Sequence, residues 1–202
     1  MTIVVIGVTG RAGSLIAAEL VARGHQVTGL ARKEDADVPE GVTLEKGDAT
    51  DASALVELIR GSEAVIHAAM FSSSSSESVI NAVKSAEVPR LLVVGGAGSL
   101  LAPDGTRLID SPEFPEAYKP EAQAGIDFLD QLKQASGFEW TFLRPQAEFV
   151  LGERTGKFRL GTDRMLLDAN GRSWITYQDL AIAMVDEYEK NAHPNQAFTV
   201  GY

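Results

Sequence analysis

Residues 2 to 6, Thr-Ile-Val-Val-Ile, form an unbroken β-branched run with no polar alternation, and Gly7-Val8-Thr9-Gly10-Arg11-Ala12-Gly13 follows it directly. Such a run reads as a strand buried on both faces of a parallel sheet. From Ala12 to Arg23 the composition changes to helix formers, with Gly24 where a left-handed cap belongs, and Gln26 to Ala31 returns to strand composition. Strand, glycine-rich turn, helix and strand within about 30 residues make a βαβ unit, in which the strands run parallel and the crossover is right-handed.

The same alternation continues to the end of the chain. Thr43 to Lys46 reads as a third strand, and Asp51 as the N-cap of a helix that carries Leu55, Leu58 and Ile59 on one face and closes at Gly61. Strands follow at Ala64 to His67, Arg90 to Val94 and Trp140 to Leu143, separated by helices at Glu77 to Glu87 and Glu116 to Ala135. A Thr176-x-x-Asp179 capping box precedes a helix with Leu180, Met184 and Tyr188 in register, and Phe198 to Val200 is the last strand. Two hundred and two residues suit one domain. The pattern therefore predicts a single α/β domain over 1–202, a three-layer modified Rossmann fold with a doubly wound, mainly parallel sheet of about seven strands. Residues 146–175, poor in regular pattern, form a small irregular annex on the substrate side. The five serines Ser72 to Ser76 read as a solvated flexible loop.

The glycine loop is a local anion trap. Glycines let the backbone turn sharply and approach a pyrophosphate, and free N–H groups at the following helix start supply donors and partial positive charge. The spacing is Gly7-x-x-Gly10-x-x-Gly13, with Thr9 where the commonest dinucleotide fingerprint has its second glycine. Dinucleotide contacts are expected from Gly7, Thr9, Gly10, Arg11, Ala12 and Gly13. At the end of the second strand an Asp or Glu would bind the ribose of NAD and repel an added phosphate. This chain has Arg32 and Lys33 there, with no acid before Glu34, and Arg11 stands within reach of the same point. Two cations suit a 2′-phosphate, so NADP(H) is expected in preference to NAD(H).

Composition narrows the partners. A net charge of −10, from 28 acids and 18 bases, disfavours a surface that binds a nucleic-acid backbone. The absence of cysteine excludes disulfides, thiolate nucleophiles and iron–sulfur clusters. Three histidines at 25, 67 and 193 make no metal-spaced pair, so no metal site is expected, and His67 reads as a packing residue. No apolar run reaches the length of a membrane span, and the N-terminus lacks the basic region of a signal peptide. A cytoplasmic protein with a small-molecule substrate is the expectation, with oligomeric state left open.

With these residues in hand, the chain resembles the atypical short-chain dehydrogenase/reductase group, the single-domain NAD(P)H-binding proteins of the NmrA-like and biliverdin reductase B-like flavin reductase kind. The resemblance spans nearly the whole length. It rests on the Gly7-x-x-Gly10-x-x-Gly13 loop, Gly47-Asp48-Ala49-Thr50-Asp51, Ile66-His67-Ala68-Ala69, Val94-Gly95-Gly96-Ala97 and Trp140-Thr141-Phe142-Leu143-Arg144-Pro145. It implies that Asp48 and Ala49 contact the adenine, Ala68 and Ala69 the ribose and pyrophosphate, and Gly95, Gly96 and Ala97 with Pro145 the nicotinamide end.

The superfamily's usual Tyr-x-x-x-Lys segment, which manages the substrate proton, is incomplete: Tyr118 stands at the right helix start, but four residues later comes Ala122. Lys119 is adjacent to Tyr118 and points about 100° around the helix from it. Tyr118 and Ser99 are the candidate catalytic groups, although Tyr118, Ala122, Ile126 and Leu129 also make a packing stripe. Phe71, Phe114, Phe149 and Trp174 are candidates to line a site for a flat acceptor. No Gly-x-Ser-x-Gly elbow or His-Glu-x-x-His helix is present. The expected function is an NADP(H)-dependent oxidoreductase passing hydride to a flavin, quinone or carbonyl compound. The alternatives are a non-catalytic NADP(H)-binding regulator of NmrA-like type and, behind it, a sugar-nucleotide epimerase-like enzyme.

Overall fold

The computed structural model describes residues 2–202. Its central sheet has eight strands: β1 (Thr2–Ile6), β2 (Gln26–Ala31), β3 (Val42–Lys46), β4 (Ala64–His67), β5 (Arg90–Val94), β6 (Glu139–Arg144), β8 (Arg159–Gly161) and β10 (Gln196–Gly201). Their order is β3-β2-β1-β4-β5-β6-β10-β8. All neighbours pair in parallel except β8, which runs antiparallel to β10 through Thr199↔Gly161 and Gly201↔Arg159. The first six positions reproduce the doubly wound nucleotide-binding order, whose direction reverses between β1 and β4.

Five helices cover the two faces, α1 (Arg11–Ala22), α2 (Ala52–Ile59), α3 (Ser76–Ser85), α4 (Lys119–Gln134) and α5 (Tyr177–Lys190). Strand alternation divides the core. Ile3 and Val5 pack with Ile16 and Leu20 of α1 and with Leu180 and Met184 of α5. Val4 and Ile6 face the other way, onto Leu55 and Ile59 of α2, Val83 of α3 and Phe128 and Leu132 of α4. Because β1, β4 and β5 lie in the middle of the sheet between the two helical layers, Ile3–Ile6, Ala64–Ile66 and Leu91–Val94 are apolar without interruption, whereas the edge strand β3 exposes Thr43, Glu45 and Lys46.

The caps are formed largely as the residues dictate. Asp51 accepts from the Ala54 N–H at 3.1 Å, and Thr176 accepts from the Asp179 N–H, also at 3.1 Å. The reciprocal half of that box is missing, because the Asp179 carboxylate accepts from the Thr155 and Gly156 amides and from the Tyr202 hydroxyl. Asp179 thus straps the 152–157 stretch to the start of α5.

Three expectations are corrected. The sheet has eight strands where about seven were expected, because the 146–175 stretch is not wholly irregular. Its β7 (Glu148–Val150) and β9 (Trp174–Thr176) form a two-stranded parallel ribbon, while β8 leaves it to become the edge of the main sheet. The helix expected from Glu116 begins as a 3-10 turn, Glu116–Tyr118, and α4 starts only at Lys119. Pro120 explains this boundary, since proline has no N–H to donate and is tolerated only in a first helical turn. The serine run is ordered: Phe71–Ser73 make a 3-10 turn, Ser75 caps α3 by accepting from the Ser78 N–H, and Ser74 Oγ bonds His67 Nε2 at 2.9 Å. Among the described residues no helix is long and apolar enough to cross a membrane.

Candidate dinucleotide and acceptor cleft

The glycine loop turns under the carboxyl end of the sheet. Gly7 has φ +82°, and a Cβ built on it would lie 2.6 Å from the Ala69 amide nitrogen. A Cβ on Gly13 would lie 2.2 Å from the Gly7 carbonyl oxygen. The first glycine therefore lets β1 exit against the β4 loop, and the third lets α1 sit directly on the turn. Gly10 is the N-cap of α1, extended at φ −78° and ψ 162°, and its N–H closes the turn onto the Gly7 carbonyl at 2.9 Å. The first helical amide of the turn to be satisfied is that of Ser14, which donates to the Gly10 carbonyl. The amides of Arg11, Ala12 and Gly13 carry no hydrogen bond among the described residues and converge at the positive end of the helix. A pyrophosphate is the complementary ligand, so this cradle fits the nicotinamide dinucleotide that its sequence calls for.

Arg11 and Arg32 flank the same end, both exposed and without an ion pair among the described residues. Glu34, the first acid after β2, is occupied by Lys46 at 2.9 Å. Asp48 takes hydrogen bonds from the Thr50 amide and hydroxyl at 2.9 and 2.7 Å. Those two bonds, aided by the nearby Arg32, hold its carboxyl below the ordinary range, so it is ionised at neutral pH.

The carboxyl ends of β1, β2, β4, β5 and β6 open onto one continuous cleft of about 1070 Å³. It collects Gly7, Thr9, Gly10, Arg11 and Ala12 with Arg32, Asp48, Ala49, Ala68, Ala69, Gly95, Gly96, Ala97 and Pro145. Fourteen positions singled out in the sequence thus meet on one surface. Gly13, Lys33 and Ser99 do not line it: Gly13 is packed beneath the turn, Lys33 is exposed beyond Arg32, and Ser99 is half-buried at the end of the Ala97–Ser99 3-10 turn, next to Gly98, which does line it. A second depression of about 770 Å³, bounded by Lys133, Arg144, Asp163 and Asn195, lies away from the glycine loop.

Past Pro145 the cleft becomes aromatic. Phe71, Phe114 and Phe149 line it, together with Met70, Met165 and Tyr177, and the Phe149 and Tyr177 rings stand 3.7 Å apart. Trp174 does not take part, packing instead at a tilt of 58° against Tyr202 with the Arg172 guanidinium 4.3 Å over its ring. Tyr118 lines the mouth and is 66% exposed, which corrects the packing-stripe expectation: Ile126 and Leu129 are buried, but Tyr118 precedes the helix and projects outward. Ala122, four residues after Tyr118, also lines the cleft.

Glu121, which the sequence reading passed over, fixes the wall. Its two carboxylate oxygens accept from the Phe71 and Ser72 amides at 2.6 and 2.9 Å. In the sequence it is one more acid in a helical first turn, with no local signal of a partner fifty residues away. Behind that wall His67 is fully buried, stacked with Phe71 at 5.8 Å, and its burial pushes the imidazole down to about 4. His67 is a neutral packing group, as its sequence position indicates. Among the described residues no group of three or more His, Cys, Asp or Glu is placed to hold a metal ion.

A family model of NAD(P)H-binding proteins matches residues 7–190. The uncharacterized protein YwnB of Bacillus subtilis (strain 168) is 39% identical over 212 residues, covering 99% of this chain and 98% of YwnB. Among solved structures, one from Bacteroides thetaiotaomicron described as a "putative epimerase" superposes with a TM-score of 0.92 at 38% identity, over 100% of this chain and 96% of that one. Another, from Streptococcus pneumoniae TIGR4 and described as a "putative NADH-flavin reductase", gives 0.86 at 35% identity, over 100% and 99% of the two chains.

Proposed function

This chain belongs to a family of NAD(P)H-binding proteins, and on that premise we propose that it is an NADPH-dependent reductase of a small planar acceptor, a flavin, quinone or carbonyl compound. The observation that carries this reading is the continuity of the cleft, which joins an anion cradle and two free arginines to an aromatic chamber without an intervening wall. A reduced nicotinamide bound here would supply hydride to the acceptor. The α1 amides would hold the pyrophosphate, Arg32 and Arg11 would receive the 2′-phosphate, and Gly95, Gly96, Ala97 and Pro145 would bound the nicotinamide end. Phe149, Tyr177 and Phe114 orient a flat acceptor by stacking. With Ala122 in place of a lysine, solvent supplies the proton, which suits flavins and quinones better than simple ketones.

The absent lysine also favours a second reading, a regulator that senses NADP(H) without turning it over. An epimerase reading is weaker, because sugar epimerisation needs the Tyr-x-x-x-Lys pair this chain lacks. NADPH oxidation with a panel of flavins, quinones, aldehydes and imines separates them. Turnover with at least one planar acceptor supports the reductase, whereas submicromolar cofactor binding with no turnover across the panel identifies the regulator. The cytoplasm, where reduced nicotinamide cofactor is abundant, is the compartment this function requires.

A further inference from the structure

The two ends of the cleft carry opposite charge. At the end over β2 and β3 the lining includes Arg11 and Arg32, with the Asp48 carboxylate engaged by the Thr50 amide and hydroxyl. At the acceptor end the carboxyls are Glu113 and Glu121, and among the described residues no Lys or Arg lines the wall. The cations nearest in sequence are already engaged, Lys119 with Glu116 at 2.5 Å and Arg107 with Asp110 at 2.7 Å. Arg164, beside Met165, is exposed and outside the lining. Glu121 is held in place by the Phe71 and Ser72 amides, while the exposed Glu113 carboxylate takes no hydrogen bond among the described residues, its backbone N–H donating to Ser111 Oγ. Around these acids the surface is apolar: Met70 is 61% exposed and stands with Tyr118, Phe114 and Phe149 at the opening.

We propose that the acceptor site selects planar ring systems without negative charge and discriminates against acceptors that carry a phosphate or carboxylate. The proposal rests on the reductase reading and deepens it. An aromatic chamber gains by burying a ring face whatever its substituents. A carboxylate wall adds a charge term that a neutral ring escapes and an anionic substituent does not, and in a partly desolvated cleft one such carboxylate is worth on the order of tenfold in affinity. The same molecule therefore needs both ends: cations where the cofactor's phosphate lies, carboxylates where the acceptor's phosphate must not.

Riboflavin and FMN test this directly, since they share one isoalloxazine ring and differ by a phosphate. With NADPH saturating and at low ionic strength, kcat/KM for riboflavin is expected to exceed that for FMN by roughly tenfold, and the gap to close towards about 0.5 M salt as charges are screened. Glu113→Lys is expected to bring the ratio near unity or invert it, with the NADPH dissociation constant held; Glu113→Gln is expected to move it part of the way. Equal efficiency for the two flavins in the unaltered protein, or a ratio indifferent to Glu113→Lys, overturns the charge selection while leaving the reductase standing. Failure of both flavins and of a neutral quinone to oxidise NADPH overturns the reductase reading and this proposal with it.

Discussion

A Cβ on Gly7 would lie 2.6 Å from the amide nitrogen of Ala69, so the exit of the first strand and the exit of the fourth touch through a glycine. That contact sits at the point where the strand order reverses, and it sets the depth of the phosphate cradle. Gly7→Ala meets both a positive φ and backbone that has no side chain to swing aside. We expect a loss of about 2–4 kcal/mol in unfolding free energy and at least a tenfold weaker NADPH complex. Gly24→Ala is the control: its φ is also positive at +88°, but nothing lies within 4 Å. It should cost only about 1 kcal/mol and leave binding untouched. Denaturant unfolding and calorimetric titration of both variants check the pair, and equal binding by the two would refute the role given to Gly7.

Arg32→Ala should weaken NADPH by roughly ten- to a hundredfold and NADH by no more than about threefold, because a planar fork on a phosphate dianion is lost in one case only. The free guanidinium and the diversion of Glu34 to Lys46 both point this way. Dissociation constants measured by nicotinamide fluorescence decide it. An unchanged NADPH value would remove the case for a preference.

The halves of the site differ in how far the sequence discloses them. The cradle was legible because everything it needs is local: an apolar strand, a glycine at each close approach, and a helix start, all within residues 2 to 22. The acceptor wall was not. Met70, Met165 and Tyr177 come from three distant segments, and each looks alone like an ordinary apolar residue. Likewise β8 has only three residues, Arg159–Gly161, and is a strand because β10 offers it an edge to pair with. The serine run reads as a flexible loop by composition, yet tertiary partners order it, Glu121 on its amides and His67 on Ser74.

Tyr118→Phe should keep turnover of the best flavin or quinone within about threefold, whereas loss of a general acid costs roughly a hundredfold or more. The tyrosine stands at the cleft mouth, 66% exposed and four residues before an alanine rather than a lysine. A hundredfold fall in kcat, with KM for NADPH unchanged, would restore it as the proton donor.

Glu121→Ala leaves the amides of Phe71 and Ser72 without their acceptor. We expect a stability loss of about 1–3 kcal/mol and a rise in acceptor KM of roughly tenfold, with NADPH affinity changed by less than about twofold. Glu121→Gln, which retains one acceptor oxygen, should fall between. Steady-state kinetics against both substrates separates the effects, and a parallel loss of cofactor affinity would show that the clamp supports the whole cleft rather than its far wall.

Acid should destabilise the protein through His67 before it does so through the carboxylates. Burial pushes the folded imidazole down to about 4 from an ordinary 6.5, while the unfolded chain takes up its proton at the ordinary value. Between those limits the unfolded state binds more protons, so stability is complete above 6.5 and declines as pH falls through the window. At about 1.4 kcal/mol per pH unit, the loss reaches roughly 3 kcal/mol near pH 4. Asp179 and Asp186 act lower: although burial opposes it, hydrogen bonds from Thr155 and Tyr202, and from Lys190 and Arg23, hold their carboxyls below the ordinary range. Their contribution is present above the unfolded carboxylate value and is lost as pH falls through the folded one. His67→Phe keeps an aromatic ring against Phe71 and Phe128 and removes the titrating group. Urea unfolding at pH 7, 6, 5 and 4 should then show a slope in the native protein that the variant lacks. If the variant retains it, the acid sensitivity belongs to another group, and the buried imidazole is not its source.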